Sequence, residues 1–286
     1  MSLVPIKDQL YKAQANGYAV PMFDVFEMQG AKGIFEAIAE KKAPAIVAVY
    51  AHLIHNPDAE AFAAYLKTMA DGVGVPVSIM LDHGQTVDQC MQAISFGFTD
   101  VMFDGSELPF EENIAKTCEV VRAARPLGIG VEAELGHVGN AADYEDFAAK
   151  KGGFTDPASV PPFVEATGVD FLAVAFGTAH GVIKGRTPQI DLDLLKDIRT
   201  KVDLPLVMHG GSGVTDQQFR EVIAAGITKI NLATNLVIEA TIAMKAAANK
   251  DDANLFTIAA AAQDAYKNDA ETMIDLFGTK NQGERA

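Results

Sequence analysis

The sequence predicts an α/β fold: one (β/α)8 TIM barrel in a single domain, with a helical extension at its C-terminus. Three observations lead there. Eight short β-rich runs recur along the chain, with starts 26, 30, 25, 30, 40, 35 and 23 residues apart. Apolar residues between the runs repeat at the helical period, and each interval has room for one helix and two loops. Glycines follow the helical stretches where a left-handed C-terminal cap would need them. Eight strand–helix units in series demand a parallel sheet, and about 230 residues is the size at which such a sheet closes on itself. A doubly wound open sheet is the alternative, but no G-x-G-x-x-G follows the first run.

Taken in order, the first run is Ala19–Phe23, followed by Ala31, Ile34, Phe35 and Ile38 at i, i+3, i+4 and i+7. The second run is Ala45–Val49. The third, Val75–Leu81, comes after a helical stretch stopped by Gly72. Val87, Cys90, Met91 and Ile94 repeat the helical spacing, and Gly97 stops that stretch before the fourth run, Asp100–Phe103. Gly128 precedes the fifth, Gly130–Leu135. The connection from Gly136 to about Asp156 has no pattern of its own, and a loop of that length in a compact domain is usually functional. Gly168 precedes the sixth run, Asp170–Ala175, and the seventh is Pro205–Met208. Phe219, Val222 and Ile223 give a shorter helical pattern, stopped by Gly226 before the eighth run, Thr228–Leu232. The remainder to Leu276 reads as the last barrel helix and a helical tail. No linker or composition shift divides residues 1–286, so the barrel is placed at about 19–250 and the tail at about 251–276.

With 49% hydrophobic and 21% charged residues, the chain is neither disordered nor a small disulfide scaffold. Its 38 acidic against 23 basic residues give a net charge of −15, which disfavours nucleic acid and anionic membranes as partners. Cys90 and Cys118 have no metal-site spacing and fall on apolar helix faces, so both are expected as buried thiols. The N-terminus has no apolar signal region, and the longest apolar run, about Ala43–Ile54, is too short to span a bilayer. The expected location is cytoplasmic.

Chemistry on such a barrel comes from the C-terminal strand ends. These carry Asp24, Tyr50, Asp82-His83-Gly84, Asp104-Gly105-Ser106, Glu132 with Glu134, His180-Gly181, His209 to Gly213, and Asn231 to Thr234. Three of the six histidines, His83, His180 and His209, lie just past strands 3, 6 and 7. Three imidazoles at one barrel mouth would form a metal site with an open position, against the plainer reading of three unrelated loop histidines. His52, His55 and His137 read as surface or loop residues. Glu132 and Glu134 share a parity that points both into the barrel, where carboxylates must be paired or cation-bound. Lys229 and Asn231 share an inward parity on strand 8, and Asp104 follows strand 4. Lys229 with Glu132 reads equally as a charge network or as functional, while Glu134 is the better candidate for chemistry or a second cation. The turn Gly210-Gly211-Ser212, with Thr234, could present backbone N–H groups to a phosphate, and Gly181 to Lys184 could add donors.

Together these residues resemble the class II, metal-dependent ketose-bisphosphate aldolases, the group that cleaves fructose and tagatose bisphosphates. The matching pieces are Leu81-Asp82-His83-Gly84, Phe103-Asp104-Gly105-Ser106, Glu132-Ala133-Glu134-Leu135-Gly136, Phe176-Gly177-Thr178-Ala179-His180-Gly181, His209-Gly210-Gly211-Ser212-Gly213 and Lys229-Ile230-Asn231-Leu232-Ala233-Thr234, in family order. The resemblance implies a Zn2+ ion on His83, His180 and His209. It implies Asp82 as the acid/base at the C4 hydroxyl and Asn231 as the residue orienting the enediolate. Gly181, Gly210, Gly211, Ser212 and Thr234 would form the phosphate cradle. Asp104 and Glu134 match positions that can hold a second divalent or displaced metal, and members of the group often bind a monovalent cation. A homodimer or homotetramer and a place in glycolytic carbohydrate metabolism are implied in the same way. The residue types suit a Lewis-acid aldol cleavage. The other route, a Schiff-base lysine, is disfavoured because strand 6 has none, leaving Lys229 as the one strand lysine to consider.

Three departures matter. The family's Ala-Phe-Asn after strand 1 is Met22-Phe23-Asp24 here, and Tyr50 stands near a usual serine. An acidic Asp24 and a bulky Tyr50 would disfavour a second phosphate, so the aldehyde half is expected to differ from glyceraldehyde 3-phosphate. In the loop after strand 5 the catalytic glutamate falls on Glu145, with Asp143 second. The expected function is reversible aldol cleavage of a ketose phosphate or bisphosphate to dihydroxyacetone phosphate and an aldehyde. The alternatives are a metal-dependent sugar-phosphate isomerase or epimerase and a catalytically inactive sugar-phosphate-binding subunit.

Overall fold

The structure is a computed structural model that describes residues 2–143, 153–183 and 187–283. Eight parallel strands close in sequence order, β1 to β8, with β8 pairing back onto β1 through Val20↔Lys229 and Met22↔Asn231. The strands are β1 (Val20–Asp24), β2 (Ala45–Tyr50), β3 (Val77–Gly84), β4 (Asp100–Phe103), β5 (Gly130–Leu135), β6 (Phe171–Val174), β7 (Leu206–Met208) and β8 (Ile227–Leu232). Every β-rich run of the sequence is a strand.

The helices, in chain order, are α1 (Lys7–Asn16), α2 (Met28–Lys41), α3 (Ala59–Gly72), α4 (Val87–Ser95), α5 (Phe110–Ala124), α6 (Val160–Thr167), α7 (Leu192–Lys201), α8 (Asp216–Ala224), α9 (Thr234–Ala248) and α10 (Leu255–Leu276). Local chemistry sets their ends. Thr86 and Thr215 start α4 and α8 with capping boxes closed by Gln89 and Gln218. Gly128 and Gly168 adopt φ of 70° and 65° where their stretches stop. Gly72 does not: it is the last residue of α3, and Gly74 takes the left-handed angle instead. None of the described helices is long and apolar enough to cross a membrane.

Strand alternation separates two cores. Outward residues such as Phe23, Val47, Leu81 and Val131 pack under the helices. Inward residues Val20, Met22, Ile46, Met80, Met102, Phe171 and Val207 fill the barrel. That inner core continues into Ile6, Leu10 and Ala13, so α1, which has no counterpart in the sequence reading, plugs the N-terminal end of the barrel. The segment expected as a tail, α10, packs along α2 and α9 and reaches β1 and α8. Gly33 makes that approach possible, because a Cβ there would lie 2.3 Å from the Gln263 carbonyl oxygen. Of the two thiols, Cys90 is buried as expected. Cys118 is only half-buried, since its side of α5 is incompletely covered. With the bottom plugged, the barrel opens to a ligand only at the other end.

Candidate active site

Alternation brings Asp24, Tyr50, Asp82, Glu132, Glu134, Lys229 and Asn231 to the inside of the barrel, near its C-terminal end. His83 follows Asp82 directly and should therefore face outward. It does not, because the β3–β4 register shifts between Leu81 and Gly84 and His83 takes φ 51°. A left-handed angle at a non-glycine residue costs about 1–3 kcal/mol and persists only where its surroundings enforce it. Here Asp104 holds the ring at 2.7 Å from Nδ1. His180 is placed by the chain around it: its N–H donates to Gly139 and its carbonyl accepts from Ala141, both at 2.8 Å.

The three imidazoles meet. His83 Nε2 lies 3.1 Å from His180 Nε2 and 2.9 Å from His209 Nδ1. The far nitrogens of two rings face carboxylates, His83 Nδ1 toward Asp104 and His209 Nε2 toward Glu132 Oε1 at 2.8 Å. With its outer N–H donated to a carboxylate, each of these rings would in its neutral form turn a lone pair inward, the arrangement of a metal-ligating histidine. Three inner nitrogens this close cannot all be satisfied by hydrogen bonds to one another. A cation between them resolves the conflict, and the N3 donor set fits zinc with a fourth position open.

Without a cation, the same site draws a proton onto His83 in its place. Burial opposes charging His83, but attraction to Asp82 and the Asp104 hydrogen bond outweigh it and push its pKa up to about 10. Burial and the neighbouring His83 push His180 down to about 4. Burial lifts Glu134 to about 8 and Glu132 to about 7, the latter against the pull of Lys229. Burial and Asp82 raise Asp24 well above the carboxylate range. A pocket this rich in buried acids draws positive charge inward. Glu134 Oε1 accepts from the Val138 N–H at 2.9 Å, and its buried Oε2 has no hydrogen-bond partner among the described residues. Together with His83 and Asp104 it forms a second set of convergent donors.

On the other side of the histidines, Asn231 Nδ2 donates to Asp82 Oδ1 at 3.0 Å. Lys229 Nζ donates to Asn231 Oδ1 at 2.6 Å and is ion-paired with Glu132 Oε2 at 2.9 Å. Lys229 and Glu132 are thus paired, and the lysine also reaches Asn231.

Gly181, Gly210, Gly211, Ser212, Thr234 and Asp24 all line one cavity of ≈ 550 Å³ with the three histidines. Gly210 is required there: its φ is 70°, and a Cβ would lie 2.5 Å from the Ala179 carbonyl oxygen. Thr234 opens α9, whose N-terminal dipole faces the same cavity wall. Glu145 and Lys184 lie outside the described residues, and the backbone of Asp143 closes a short 3-10 turn, Ala141–Asp143.

Two histidines read as surface or loop residues from the sequence also line the cavity. His137 lines the cavity with Nδ1 3.0 Å from Ser106 Oγ, and His52 stacks edge-on to Tyr50 with ring centroids 4.8 Å apart. The adjacency of His137 to the strand-5 Gly136 turn was the available signal. His52 sits on a short 3-10 turn, Ala51–Leu53, and carried none.

A family model described as fructose-bisphosphate aldolase class-II matches residues 4–282. The YdjI aldolase from Escherichia coli K12 is 35% identical, with a TM-score of 0.88 over 99% of this chain and 100% of that one. A candidate fructose-1,6-bisphosphate aldolase from Coccidioides immitis is 26% identical, with a TM-score of 0.87 over 96% of each chain. The fructose-bisphosphate aldolase of Campylobacter jejuni shares the fold at 19% identity, with a TM-score of 0.81 over 98% of this chain and 96% of that one. A match over nearly the whole chain, on a barrel that brings three imidazoles together at its mouth, places this protein in the class II fructose-bisphosphate aldolase family.

Proposed function

We propose that this aldolase is zinc-dependent and cleaves a ketose phosphate or bisphosphate reversibly to dihydroxyacetone phosphate and an aldehyde. The observation that carries the reading is the histidine cluster beside the Asp82–Asn231 pair: three inner nitrogens within 3.1 Å contacts, two of them backed by carboxylates. His83, His180 and His209 would hold the ion, which when bound supplies a Lewis acid that withdraws electron density from the ketose carbonyl.

The remaining work belongs to side chains. Asp82 takes the proton of the C4 hydroxyl as the C3–C4 bond breaks and C4 becomes the aldehyde carbonyl. The bond's electron pair passes into the enediolate of the three-carbon half, and the Asn231 N–H donates to its oxygen. Glu145 returns a proton to C3, with Asp143 as the second candidate. Gly181, Gly210, Gly211, Ser212 and Thr234 cradle the phosphate through N–H and hydroxyl donors, helped by Lys184. Asp104 and Glu134 hold a second divalent or a monovalent cation, a role supported by the unpartnered Glu134 oxygen.

Asp24 and Tyr50 shape the aldehyde end. Asp24 has a buried Oδ1 with no hydrogen-bond partner among the described residues and lies against Asp82. The Asp82 carboxylate accepts a hydroxyl readily and repels a phosphate, and a protonated Asp24 beside it brings no positive charge to offset that. The aldehyde released is therefore not glyceraldehyde 3-phosphate, and comparable turnover of fructose 1,6-bisphosphate and other ketose phosphates would defeat this point. The protein acts in the cytoplasm on small sugar phosphates. It assembles as a homodimer or homotetramer, a reading supported by exposed Ile242, Leu255 and Phe256 on α9 and α10. A screen of ketose phosphates for triose-phosphate release, with and without chelator, tests the activity.

A further inference from the structure

We propose that Lys229 is a positioning residue: it fixes which edge of the Asn231 amide faces the substrate, and so aims that amide's N–H at the reacting oxygen. Lys229 is fully buried on β8, two residues before Asn231 on the same inward face. Its Nζ meets Asn231 Oδ1 at 2.6 Å and Glu132 Oε2 at 2.9 Å. A carboxamide has almost the same shape when turned over, but its donor and acceptor exchange places. An ammonium group has donors only, so it can hold just the Oδ1 edge of Asn231. The Nδ2 edge is then left toward Asp82 Oδ1, at 3.0 Å, and the His209 ring. Turned over, the amide would set its NH2 against the ammonium and its oxygen against the Asp82 carboxylate, like against like on both sides. Glu132 anchors the lysine from across the barrel, and its other oxygen receives His209 Nε2 at 2.8 Å. Stability alone does not call for this arrangement, because well-packed apolar side chains often replace a buried ion pair without loss.

The kinetic arm of the test rests on the aldolase reading. Two variants remove the lysine's directing effect: Lys229→Gln, whose amide can face Asn231 either way, and Lys229→Met combined with Glu132→Gln, which leaves no unpaired buried charge. Each is made with and without Asn231→Ala, checked for folding by circular dichroism, and assayed with saturating zinc on the ketose phosphate that the wild type cleaves best. The expected result is a kcat lower by roughly 10- to 100-fold with KM little changed. Adding Asn231→Ala to either variant should give no greater loss than Asn231→Ala alone, because both changes act through one amide. Losses that multiply, or an unchanged kcat in a folded variant, would overturn the proposal. A second readout needs no activity. In zinc-free protein labelled with 15N-asparagine, the Asn231 side-chain signal is assigned by its disappearance in Asn231→Ala, and Lys229→Gln should shift or broaden it. An unmoved signal in folded protein would also overturn the proposal. If the wild type releases no triose phosphate from any ketose phosphate while this signal still moves, the aldolase reading falls and the positioning role stands.

Discussion

Asp82 and His83 are neighbours in the chain, yet both reach the cavity, and the acid and the histidine ligands should fail differently when removed. His180→Ala takes away one of three metal donors, so metal content and activity are expected to fall together. Asp82→Ala leaves the donors intact and removes the proton acceptor, so the metal is expected to stay while kcat drops about 10²- to 10⁴-fold. Elemental analysis of both purified variants checks this, and equal metal loss in the two would contradict the assigned roles. Parity was enough to read Glu132, Glu134, Lys229 and Asn231 as inward from the sequence, because strand alternation is strict. It could not show the bulge that turns His83 inward, since a backbone angle of 51° leaves no mark on residue type. His52 and His137 could be read only as surface or loop residues, because loop residues obey no period.

At the scale of elements, all eight strands were legible in order, because β-branched runs between glycine stops repeat so regularly. Helix α1 was not. Its sequence, KDQLYKAQAN, buries only Leu10 and Ala13, too few to show a helical face. It is held by Asp100 inside the barrel, whose carboxyl oxygens accept the Ile6 N–H at 3.1 and 3.3 Å and the Ser78 hydroxyl at 2.5 Å. Burial pushes the Asp100 pKa up to about 7, against those hydrogen bonds. The folded state thus keeps a proton that the unfolded chain gives up above about pH 4, so stability is lost as pH rises from there toward 7 and is level beyond. Asp100→Asn cannot ionise and should escape that part of the decline. Urea midpoints of wild type and variant at pH 5 and pH 8 check it: the variant is expected to gain on the wild type at the higher pH, and parallel shifts would rule the mechanism out.

The whole molecule separates its tasks by end. An apolar plug and Asp100 secure the bottom of the barrel, and Asp82 and Asn231 open onto the cavity at the top. The net charge of −15 accompanies a site in which buried carboxylates surround three imidazoles, and a cation held there would answer that local excess. The apolar side chains left open on α9 and α10, Phe256 at 83% exposure among them, fit a surface covered by another copy. Light scattering should therefore give two or four chain masses, and a single-chain mass would end that reading. The family resemblance, carried by six motifs between residues 81 and 234, was legible because each motif sits at a strand end where the chemistry fixes residue type. The loop after β5 was not, because its alignment there rests on a single glycine, Gly139, followed by Asn140. The most direct test of the central claim is triose-phosphate release from a panel of ketose phosphates, measured before chelation, after chelation and after zinc is returned. Release that chelation abolishes and zinc restores is the predicted result. Release indifferent to the chelator, or none from any ketose phosphate in zinc-replete protein, would contradict it.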